Sequence, residues 1–379
     1  MKTKVLFFIE SLSGGGAEKV LVTLLSHMDY SKYSVRLLTV SDAGVYRMEL
    51  EEIIKRNPDG IEYKSICGKG KSLGEKLLYK LIYNVLPSWL VCRLFVPCGY
   101  DVYVAFVEGF CTKILSHAVG RKISWVHIDL KSFPWTLNKG IYKNHNEERG
   151  VYGKYEKVVC VSQAVKNVMR NYYGLKNVVA IYNPIDIEYI HMKSEEGIDL
   201  LSPFFNIITV GRLVKQKGFD LLIPIIGYLK DQGLDVRLYI LGEGEERDHL
   251  ETLIADIHLG DTVYLLGYKS NPYPYMMQAD LFVCSSRAEG YSLVVAEALT
   301  LGTPVVSMRC SGPEEVLGNG KYGLLCDDYE QLEKEIAQLV KDRNRYEEVK
   351  HMAEGGKNRF DIEHTMSQVY TILSDVDSL

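Results

Sequence analysis

The chain has 379 residues, of which 47% are hydrophobic and 25% charged, a composition typical of globular proteins. This length favours two domains over one. The apolar run near the start, Val5 to Ile9, is too short for the core of a secretory signal, and no apolar stretch is long enough to cross a bilayer. The eight cysteines show no paired metal-ligand spacing, so we expect reduced thiols in a cytoplasmic protein.

The charge is unevenly distributed along the chain. Counting Lys and Arg against Asp and Glu gives +8 for residues 1–190, so the remainder carries −13, because −5 − 8 = −13. Such asymmetry predicts that the first half faces something anionic. A membrane surface, a phosphorylated acceptor and a nucleic acid all stay open at this point, as does a chance imbalance over a large surface.

Short apolar runs alternate with helical patterns in both halves, which predicts βαβ units and parallel sheets. The first-half strands are predicted at Val5–Ile9, Val35–Val40, Val102–Phe106, Ile123–Val126, Val158–Val161 and Val179–Tyr182. The second-half strands are predicted at Ile207–Val210, Val236–Leu241, Val263–Leu266, Leu281–Cys284, Pro304–Ser307 and Gly323–Cys326. We therefore predict an α/β protein with two doubly wound, Rossmann-like domains.

One first-half segment, Lys69–Val96, is basic, aromatic and amphipathic. Pro87 is expected to divide it into two helices, because proline lacks the N–H that a helix interior needs. This composition predicts a helix that lies in a membrane interface. A helix pair packed on the sheet, with ordinary solvated lysines, is the alternative and stays open.

A Gly-rich turn follows the first strand, in Ser11-Leu12-Ser13-Gly14-Gly15-Gly16-Ala17-Glu18-Lys19, and an apolar-periodic helix is predicted from Val20 to Met28. Glycines let backbone approach a ligand closely, and a helix N-terminus favours an anion. The spacing matches neither a dinucleotide fingerprint nor a P-loop. The turn alone is therefore a weak signal.

Basic and Gly-rich turns also follow the first strands of the second half. Arg212 and Lys217 come just after the strand Ile207–Val210, where a guanidinium fork and an ammonium group suit a diphosphate. Gly242-Glu243-Gly244 forms a second tight turn at the same predicted sheet edge. An isolated basic loop is more often solvated surface, so this turn needs support from its neighbours.

The most informative stretch is Glu289-Gly290-Tyr291-Ser292-Leu293-Val294-Val295-Ala296-Glu297. It follows a buried strand and reads as a loop that opens a helix, so its backbone N–H groups attract phosphate. The two carboxylates suit neutral hydroxyls, as on a sugar. The alternative is that Glu289 is a solvated loop residue and that Glu297 is a charge on the surface of the helix.

Together these motifs resemble the retaining glycosyltransferases of family 4, whose GT-B fold has two Rossmann-like domains with parallel sheets facing each other across a cleft. The resemblance covers nearly the whole chain. Asn183-Pro184-Ile185-Asp186 is similar to the family's interdomain signature, and Ser311–Glu315 with Gly323–Leu325 is similar to its last donor-domain turn. The predicted organisation is an acceptor-binding domain at 1–185, a linker at 186–203, a nucleotide-sugar-binding domain at 204–357 and a C-terminal helix at 358–379 that crosses back to the first domain.

The resemblance also implies roles for individual residues. Those implied in catalysis are Glu289, His127, Arg212 and Lys217. Those implied in substrate binding are Gly15, Gly16, Gly211, Gly242, Glu243, Gly290, Tyr291, Ser292, Leu293 and Glu297. Arg212 and Lys217 would neutralise the departing diphosphate, Glu289 would meet hydroxyls of the transferred sugar, and His127 would lie near its hydroxymethyl group. Glu297 would bind the ribose diol, and Gly15 and Gly16 would close over the diphosphate.

The implied activity is retaining transfer of a sugar from a nucleotide sugar, with UDP the commonest nucleotide in the family and GDP possible. The expected acceptor is a glycan, in particular a lipid-linked saccharide of surface polysaccharide assembly, at the cytoplasmic face of an anionic inner membrane. Positioned cations make a metal dispensable, so we expect no metal and no cofactor. The motif Asp375-Val376-Asp377 is expected to be C-terminal tail.

Other functions remain as alternatives. A GT-B nucleotide-sugar epimerase would act without an acceptor, and a phosphorylase would need a pyridoxal-binding lysine that the sequence does not identify. A non-catalytic nucleotide-sugar-binding subunit is a third possibility, although Arg212, Lys217 and Glu289 are all present. Nucleic-acid binding is disfavoured, because no such motif occurs and the chain as a whole is acidic.

Overall fold

The computed structural model describes residues 2–69, 72–198 and 203–374. The chain divides into two compact units. One unit comprises Met1–Pro184 together with Ile362–Leu379, and the other comprises Ile185–Asp361.

The first unit is built on a parallel sheet flanked by helices. Its strands are β1 (Thr3–Ile9), β2 (Tyr33–Thr39), β3 (Ile61–Ser65), β4 (Val102–Ala105), β5 (Arg121–Val126), β6 (Lys157–Cys160) and β7 (Val178–Ala180). Its helices up to this point are α1 (Gly16–Ser26), α2 (Arg47–Arg56), α3 (Leu73–Asn84), α4 (Ser88–Phe95), α5 (Phe110–Leu115), α6 (Trp135–Asn138), α7 (His145–Tyr152) and α8 (Gln163–Asn171). The strand order is β3-β2-β1-β4-β5-β6-β7, so β1 lies in the interior of the sheet between β2 and β4, where its apolar residues Val5–Ile9 are buried.

The second unit repeats this architecture. Its strands are β8 (Phe205–Val210), β9 (Val236–Leu241), β10 (Val263–Gly267), β11 (Leu281–Cys284), β12 (Val305–Met308) and β13 (Leu324–Cys326). Its helices are α9 (Ile187–Ser194), α10 (Phe219–Asp231), α11 (Arg247–Asp256), α12 (Tyr273–Gln278), α13 (Leu293–Leu301), α14 (Ser311–Val316), α15 (Tyr329–Lys341) and α16 (Arg343–Glu354). The order β10-β9-β8-β11-β12-β13 makes β8 and β11 neighbours, so the loops that follow them meet at one sheet edge. The α/β prediction of two doubly wound domains is confirmed.

The structure differs from the sequence prediction at two places in the first unit. Strand β3 was not predicted, because it is an edge strand in which only Ile61 is buried and its polar residues give no apolar run. Helix α1 begins at Gly16 rather than Val20, so Gly15 is its N-cap and Glu18 lies in its first turn. The break at Pro87 between α3 and α4 agrees with the prediction.

The stretch predicted as a linker, 186–203, contains a helix. Asp186 caps α9, its side chain accepting a hydrogen bond from the backbone N–H of Tyr189 at 2.8 Å. Asn271 donates to the carbonyl oxygen of Lys193 at 2.8 Å, which ties α9 to the start of α12 in the second unit. The polar composition of this stretch hid a helix whose stability comes from packing. Residues 199–202 lie outside the described part of the chain.

The last described helix, α17 (Ile362–Leu373), belongs to the first unit. Tyr370 donates to the carbonyl oxygen of His27 at 2.8 Å and accepts from the backbone N–H of Asp29 at 2.9 Å, and its ring stacks on Tyr33. These contacts seat α17 beside the end of α1. The motif Asp375–Asp377 lies outside the described residues. No described helix has both the length and the apolar character needed to span a bilayer.

Candidate active site

Lys217 and Glu289 meet at the edge where β8 and β11 end. Lys217 Nζ lies 2.5 Å from Glu289 Oε1, and Ser286 Oγ donates to the same oxygen at 2.8 Å. Both charged side chains are largely buried, being 19% and 10% exposed. Burial acts to lower the pKa of the Lys217 amine, but the adjacent Glu289 carboxylate outweighs it and the pKa is raised. The Lys217 amine therefore keeps its proton, and with it a positive charge in this site.

Hydrogen bonds between the two loops hold this pair in place. Gln216 donates to the carbonyl oxygen of Ala288 at 2.7 Å, and Ser285 Oγ donates to that of Lys217 at 2.8 Å. Arg287 forms a bidentate ion pair with Asp220, with both distances 2.8 Å. Sequence reasoning missed these residues, because each lies about 70 residues from its partner and only the β8–β11 pairing brings them together.

Two glycines let the loops approach this closely. Gly218 has φ +69°, and a methyl group there would lie 2.1 Å from the carbonyl oxygen of Ser285. Gly242 has φ +148°, and a methyl group there would lie 1.8 Å from the carbonyl oxygen of Gly211. The predicted binding residues Gly211 and Gly242 are thus brought together, as adjacent turns at the ends of β8 and β9.

The other two polar residues predicted on these turns have different surroundings. Arg212 is exposed, and its charge lies close enough to act on the pKa of Lys217. Its guanidinium makes no hydrogen bond or ion pair with the described residues, so it is available to an anion. Glu243 instead accepts from Arg247 Nη1 at 2.7 Å within the same turn of chain. Its predicted contact with substrate stays a prediction.

The loop after Glu289 leads into α13 through Gly290, Tyr291 and Ser292. Ser292 is the N-cap residue, and its hydroxyl is buried without a hydrogen-bond partner among the residues that the structure describes. The first N–H groups of a helix have no partner within the helix, and they favour an anion. Glu297, on the same helix, is buried. The segment Leu293–Leu301 thus places anion-binding donors close to Glu289.

In the first unit, His127 follows β5. Its Nε2 lies 3.0 Å from the carbonyl oxygen of Phe106, and its backbone N–H donates to Glu108 Oε2 at 3.0 Å. Burial lowers the pKa of His127 to about 4, against the raising effect of the Phe106 bond. The imidazole is therefore neutral at pH 7, with its proton on Nε2, and Nδ1 is left as an acceptor.

Sequence reasoning missed two acidic residues of the first unit, Glu108 and Glu10. Burial raises the pKa of the Glu108 carboxyl, and Glu10, after β1, is also half-buried in this unit. Gly15 and Gly16 lie at the start of α1, where the Glu18 carboxylate packs so closely on Gly15 that a methyl group would meet it at 2.3 Å. Lone acidic residues at strand ends carry no motif, so no sequence signal marked them.

Within residues 2–69, 72–198 and 203–374, no group of three or more His, Cys, Asp or Glu side chains is placed to hold a metal ion. The eight cysteines are free thiols, and all but Cys98 and Cys310 are buried.

Comparison with solved structures gives the fold class. A crystal structure of an Anabaena protein in complex with UDP and glucose matches 99% of this chain and 100% of its own, with TM-score 0.74 and 20% identity. A sucrose-phosphate synthase from Thermosynechococcus elongatus matches 98% of each chain, with TM-score 0.76 and 16% identity. Together with the paired parallel sheets, these likenesses define a protein with the GT-B fold of glycosyltransferases.

Sequence comparison identifies the family. Residues 14–189 match the family model Glycosyltransferase Family 4, and residues 200–359 match the model Glycosyl transferases group 1. An N-acetylgalactosamine-N,N'-diacetylbacillosaminyl-diphospho-undecaprenol 4-alpha-N-acetylgalactosaminyltransferase of Campylobacter jejuni is 30% identical over 336 residues, covering 86% of each chain. An amylovoran biosynthesis glycosyltransferase of Erwinia amylovora is 26% identical, covering 89% of each chain. The chain belongs to glycosyltransferase family 4, which confirms the resemblance seen in its motifs.

Proposed function

We propose that this glycosyltransferase transfers a sugar from a UDP-sugar to a lipid-linked saccharide, with retention at the anomeric carbon and without a metal ion, in surface polysaccharide assembly. The observation that carries the proposal is the buried contact between Lys217 and Glu289 beside the start of α13. Lys217 provides a cation for phosphate and Glu289 a carboxylate for sugar hydroxyls. The N-terminus of α13 beside them favours an anion.

The donor diphosphate would bind to Lys217, the free guanidinium of Arg212 and the first N–H groups of α13. Both hydrogen bonds to Glu289 are made to Oε1, which leaves Oε2 to accept from a sugar hydroxyl. Glu297 would hold the ribose diol. As the family resemblance implies, the neutral His127 would accept a hydrogen bond from the sugar's hydroxymethyl group through Nδ1.

Retention follows from attack on the face that the diphosphate leaves. The acceptor oxygen forms the new bond to the anomeric carbon as the bond from that carbon to the phosphate oxygen breaks. The acceptor's proton passes to the departing phosphate. Arg212 and Lys217 stabilise the charge that develops on the leaving group. Glu289 acts as a hydroxyl ligand and stabilises the cationic sugar, since its pairing with Lys217 lowers its strength as a nucleophile.

The assignment of donor and acceptor rests partly on similar proteins. A solved structure of the Anabaena protein holds UDP-glucose, which supports a UDP-sugar donor here. The name of the Campylobacter relative specifies a diphospho-undecaprenol acceptor, which supports a lipid-linked acceptor. Other relatives are named for lipopolysaccharide core and amylovoran biosynthesis, which supports a place in surface polysaccharide assembly.

The surface of α3 supports contact with an anionic membrane. Leu73, Leu77 and Leu81 recur at helical spacing and are 83%, 68% and 39% exposed. Lys76 and Lys80 are exposed beside them. An apolar stripe flanked by cations suits the boundary between lipid headgroups and acyl chains. We propose that the protein binds the cytoplasmic face of the inner membrane peripherally through this helix.

The test begins with the donor. A thermal-shift screen of UDP, GDP, ADP and their sugars should give the largest stabilisation with UDP compounds. Lys217→Ala should abolish that shift, whereas Lys215→Ala, an exposed neighbour on the same short turn, should keep it.

Product analysis with and without acceptor then separates transfer from epimerisation, and NMR of the new linkage reports retention. A UDP shift that survives Lys217→Ala, or an inverted product, contradicts the proposal.

A further inference from the structure

The side chain of Glu289 is held through one of its two carboxyl oxygens. Lys217 Nζ lies 2.5 Å from Oε1, and Ser286 Oγ donates to the same atom at 2.8 Å. Ser286 and Glu289 are both buried, so water competes little for these contacts. The proposed function assigns a role to the lysine and to the glutamate but none to the serine.

The lysine alone cannot fix the orientation of this carboxyl group. The terminal torsion of a glutamate is broad and roughly two-fold, so its two oxygens exchange places at little cost. The amine of Lys217 carries three equivalent N–H donors on a flexible stem, and it can follow either oxygen. A second donor to Oε1, from a different residue, removes this freedom. Ser286 is that donor, and its hydrogen bond leaves Oε2 as the oxygen for the substrate.

Ser286 is suited to this task because its backbone is anchored. The preceding residue, Ser285, donates from Oγ to the carbonyl oxygen of Lys217 at 2.8 Å. Tyr329, the first residue of α15, donates to the carbonyl oxygen of Ser285 at 2.9 Å. A short side chain on a backbone held in this way is a fixed reference for the longer glutamate side chain.

The backbone of Glu289 does not depend on Ser286. Its carbonyl oxygen accepts from the backbone N–H of Gly312 at 3.2 Å and from Ser311 Oγ at 2.9 Å. Gly312 also packs closely on it, since a methyl group there would lie 3.0 Å from Glu289 Cβ. Loss of the Ser286 hydroxyl would therefore leave the loop in place and release only the orientation of the carboxyl group.

Building on the proposed function, we propose that Ser286 is a positioning residue for the transferred sugar. By holding Oε1 of Glu289, its hydroxyl presents Oε2 to a hydroxyl group of that sugar. In the proposed arrangement the diphosphate is bound by Lys217, Arg212 and the start of α13, and it does not use Oε2. Ser286 therefore contributes to recognition of the sugar and not of the nucleotide.

The test compares a nucleotide sugar with the free nucleoside diphosphate. The probes are UDP and the UDP-sugar that stabilises the wild-type protein most in the thermal-shift screen. Both dissociation constants are measured by titration calorimetry on the full chain, and the ratio of the UDP-sugar constant to the UDP constant isolates the contribution of the sugar. Ser286→Ala should raise this ratio about tenfold, or about 1.4 kcal/mol, and leave the UDP constant unchanged.

Two further variants separate orientation of the carboxyl group from loosening of the loop. Ser285→Ala removes the neighbouring hydroxyl, which bonds to the backbone of Lys217, and should leave the ratio unchanged. In a Glu289→Ala background, Ser286→Ala should have no further effect on the ratio, because the group through which the serine acts is absent.

The proposal is wrong if Ser286→Ala leaves the ratio unchanged or if Ser285→Ala raises it equally. It is also wrong if Ser286→Ala raises the ratio as much in the Glu289→Ala background as in the wild type.

Failure of this proposal is distinguishable from failure of the proposed donor, which the wild-type protein tests by itself. An unchanged ratio in a protein that binds UDP-sugars removes only the role of Ser286. Stabilisation by a GDP-sugar instead would contradict the proposed donor, and the same ratio measured against GDP would then decide the role of Ser286. Binding of no nucleotide sugar at all would overturn both proposals.

Discussion

Lys217 and Glu289 form a 2.5 Å ion pair although 72 positions separate them in the chain. Each is largely buried, so each depends on the other for charge compensation. The lysine offers its charge to a diphosphate and the carboxylate offers its second oxygen to a sugar. Because the two residues are paired, a change at either one should affect both diphosphate binding and sugar binding.

Glu289→Gln should lower kcat by about 10²-fold with little change in fold, because the amide keeps the shape but loses the charge facing the cationic sugar.

Lys217→Ala should reduce both turnover and stability, since it leaves a buried carboxylate unpaired at a cost of about 3 kcal/mol. Steady-state kinetics and denaturant unfolding measure these effects. Lys217→Met combined with Glu289→Gln is the matched control, which should regain stability but not turnover. Near-normal turnover of Glu289→Gln would remove this carboxylate from the mechanism.

Gly242→Ala should destabilise the protein by roughly 2 kcal/mol or more, because the backbone has φ +148° and the added methyl would lie 1.8 Å from the carbonyl oxygen of Gly211. Gly260→Ala is the control, since nothing lies within 4 Å of a methyl group there and its φ is not in the positive range. Equilibrium unfolding of both variants gives the comparison. Equal stability of the two would show that the turn relaxes freely.

Glu10→Gln should stabilise the protein at pH 8 but not at pH 5. Burial raises the folded-state pKa of Glu10 to about 7 from its ordinary 4.5, so the folded state binds the proton more tightly than the unfolded one. Stability from this group is complete below pH 4.5 and is lost as the pH rises to 7, by up to about 3 kcal/mol.

The variant has no charge to bury and escapes that loss. Its melting temperature should exceed that of the wild type by roughly 5 °C at pH 8, with a difference near zero at pH 5. Glu52→Gln should show no such trend. If the difference in melting temperature between Glu10→Gln and the wild type stayed constant across the pH range, the pKa of Glu10 would not be raised by folding.

Removal of divalent ions should leave turnover unchanged. The charge of the leaving diphosphate is to be met by Arg212 and Lys217 rather than by a metal. Donor turnover is compared before and after treatment with EDTA, and again after Mg²⁺ or Mn²⁺ is added back. Activity that disappears with EDTA and returns with Mn²⁺ would contradict this expectation.

Lys76→Glu with Lys80→Glu should reduce flotation of the protein with vesicles that contain anionic lipid, because each basic residue near such a surface contributes about 1 kcal/mol. Lys166→Glu with Arg170→Glu makes the same charge change on α8 and should float like the wild type. Vesicles of neutral lipid provide the second comparison. Equal recovery of both variants at low salt would argue against membrane contact through α3.

Much of the fold was predictable because parallel strands that are buried on both faces have nearly continuous apolar sequences, as in Val236–Leu241 and Leu281–Cys284. Edge strand β3 and helix α9 were not predicted, since the first buries only Ile61 and the second has little amphipathic pattern. Lys217 and Glu289 stand in motifs, so the sequence named them as candidates for the site. Ser286, Glu10 and Glu108 have none and were missed.

The sequence by itself determined the class of fold and the family, because apolar periodicity and the spacing of turns are local properties that survive in the order of residues. Only the tertiary structure decided which side chains share an environment. The alignment of β8 beside β11 turns Lys217 into the partner of Glu289, and the packing of α3 over the end of β1 encloses Glu10 with Tyr83. Burial and charge pairing depend on neighbours that are distant in the chain, so no local pattern encodes them.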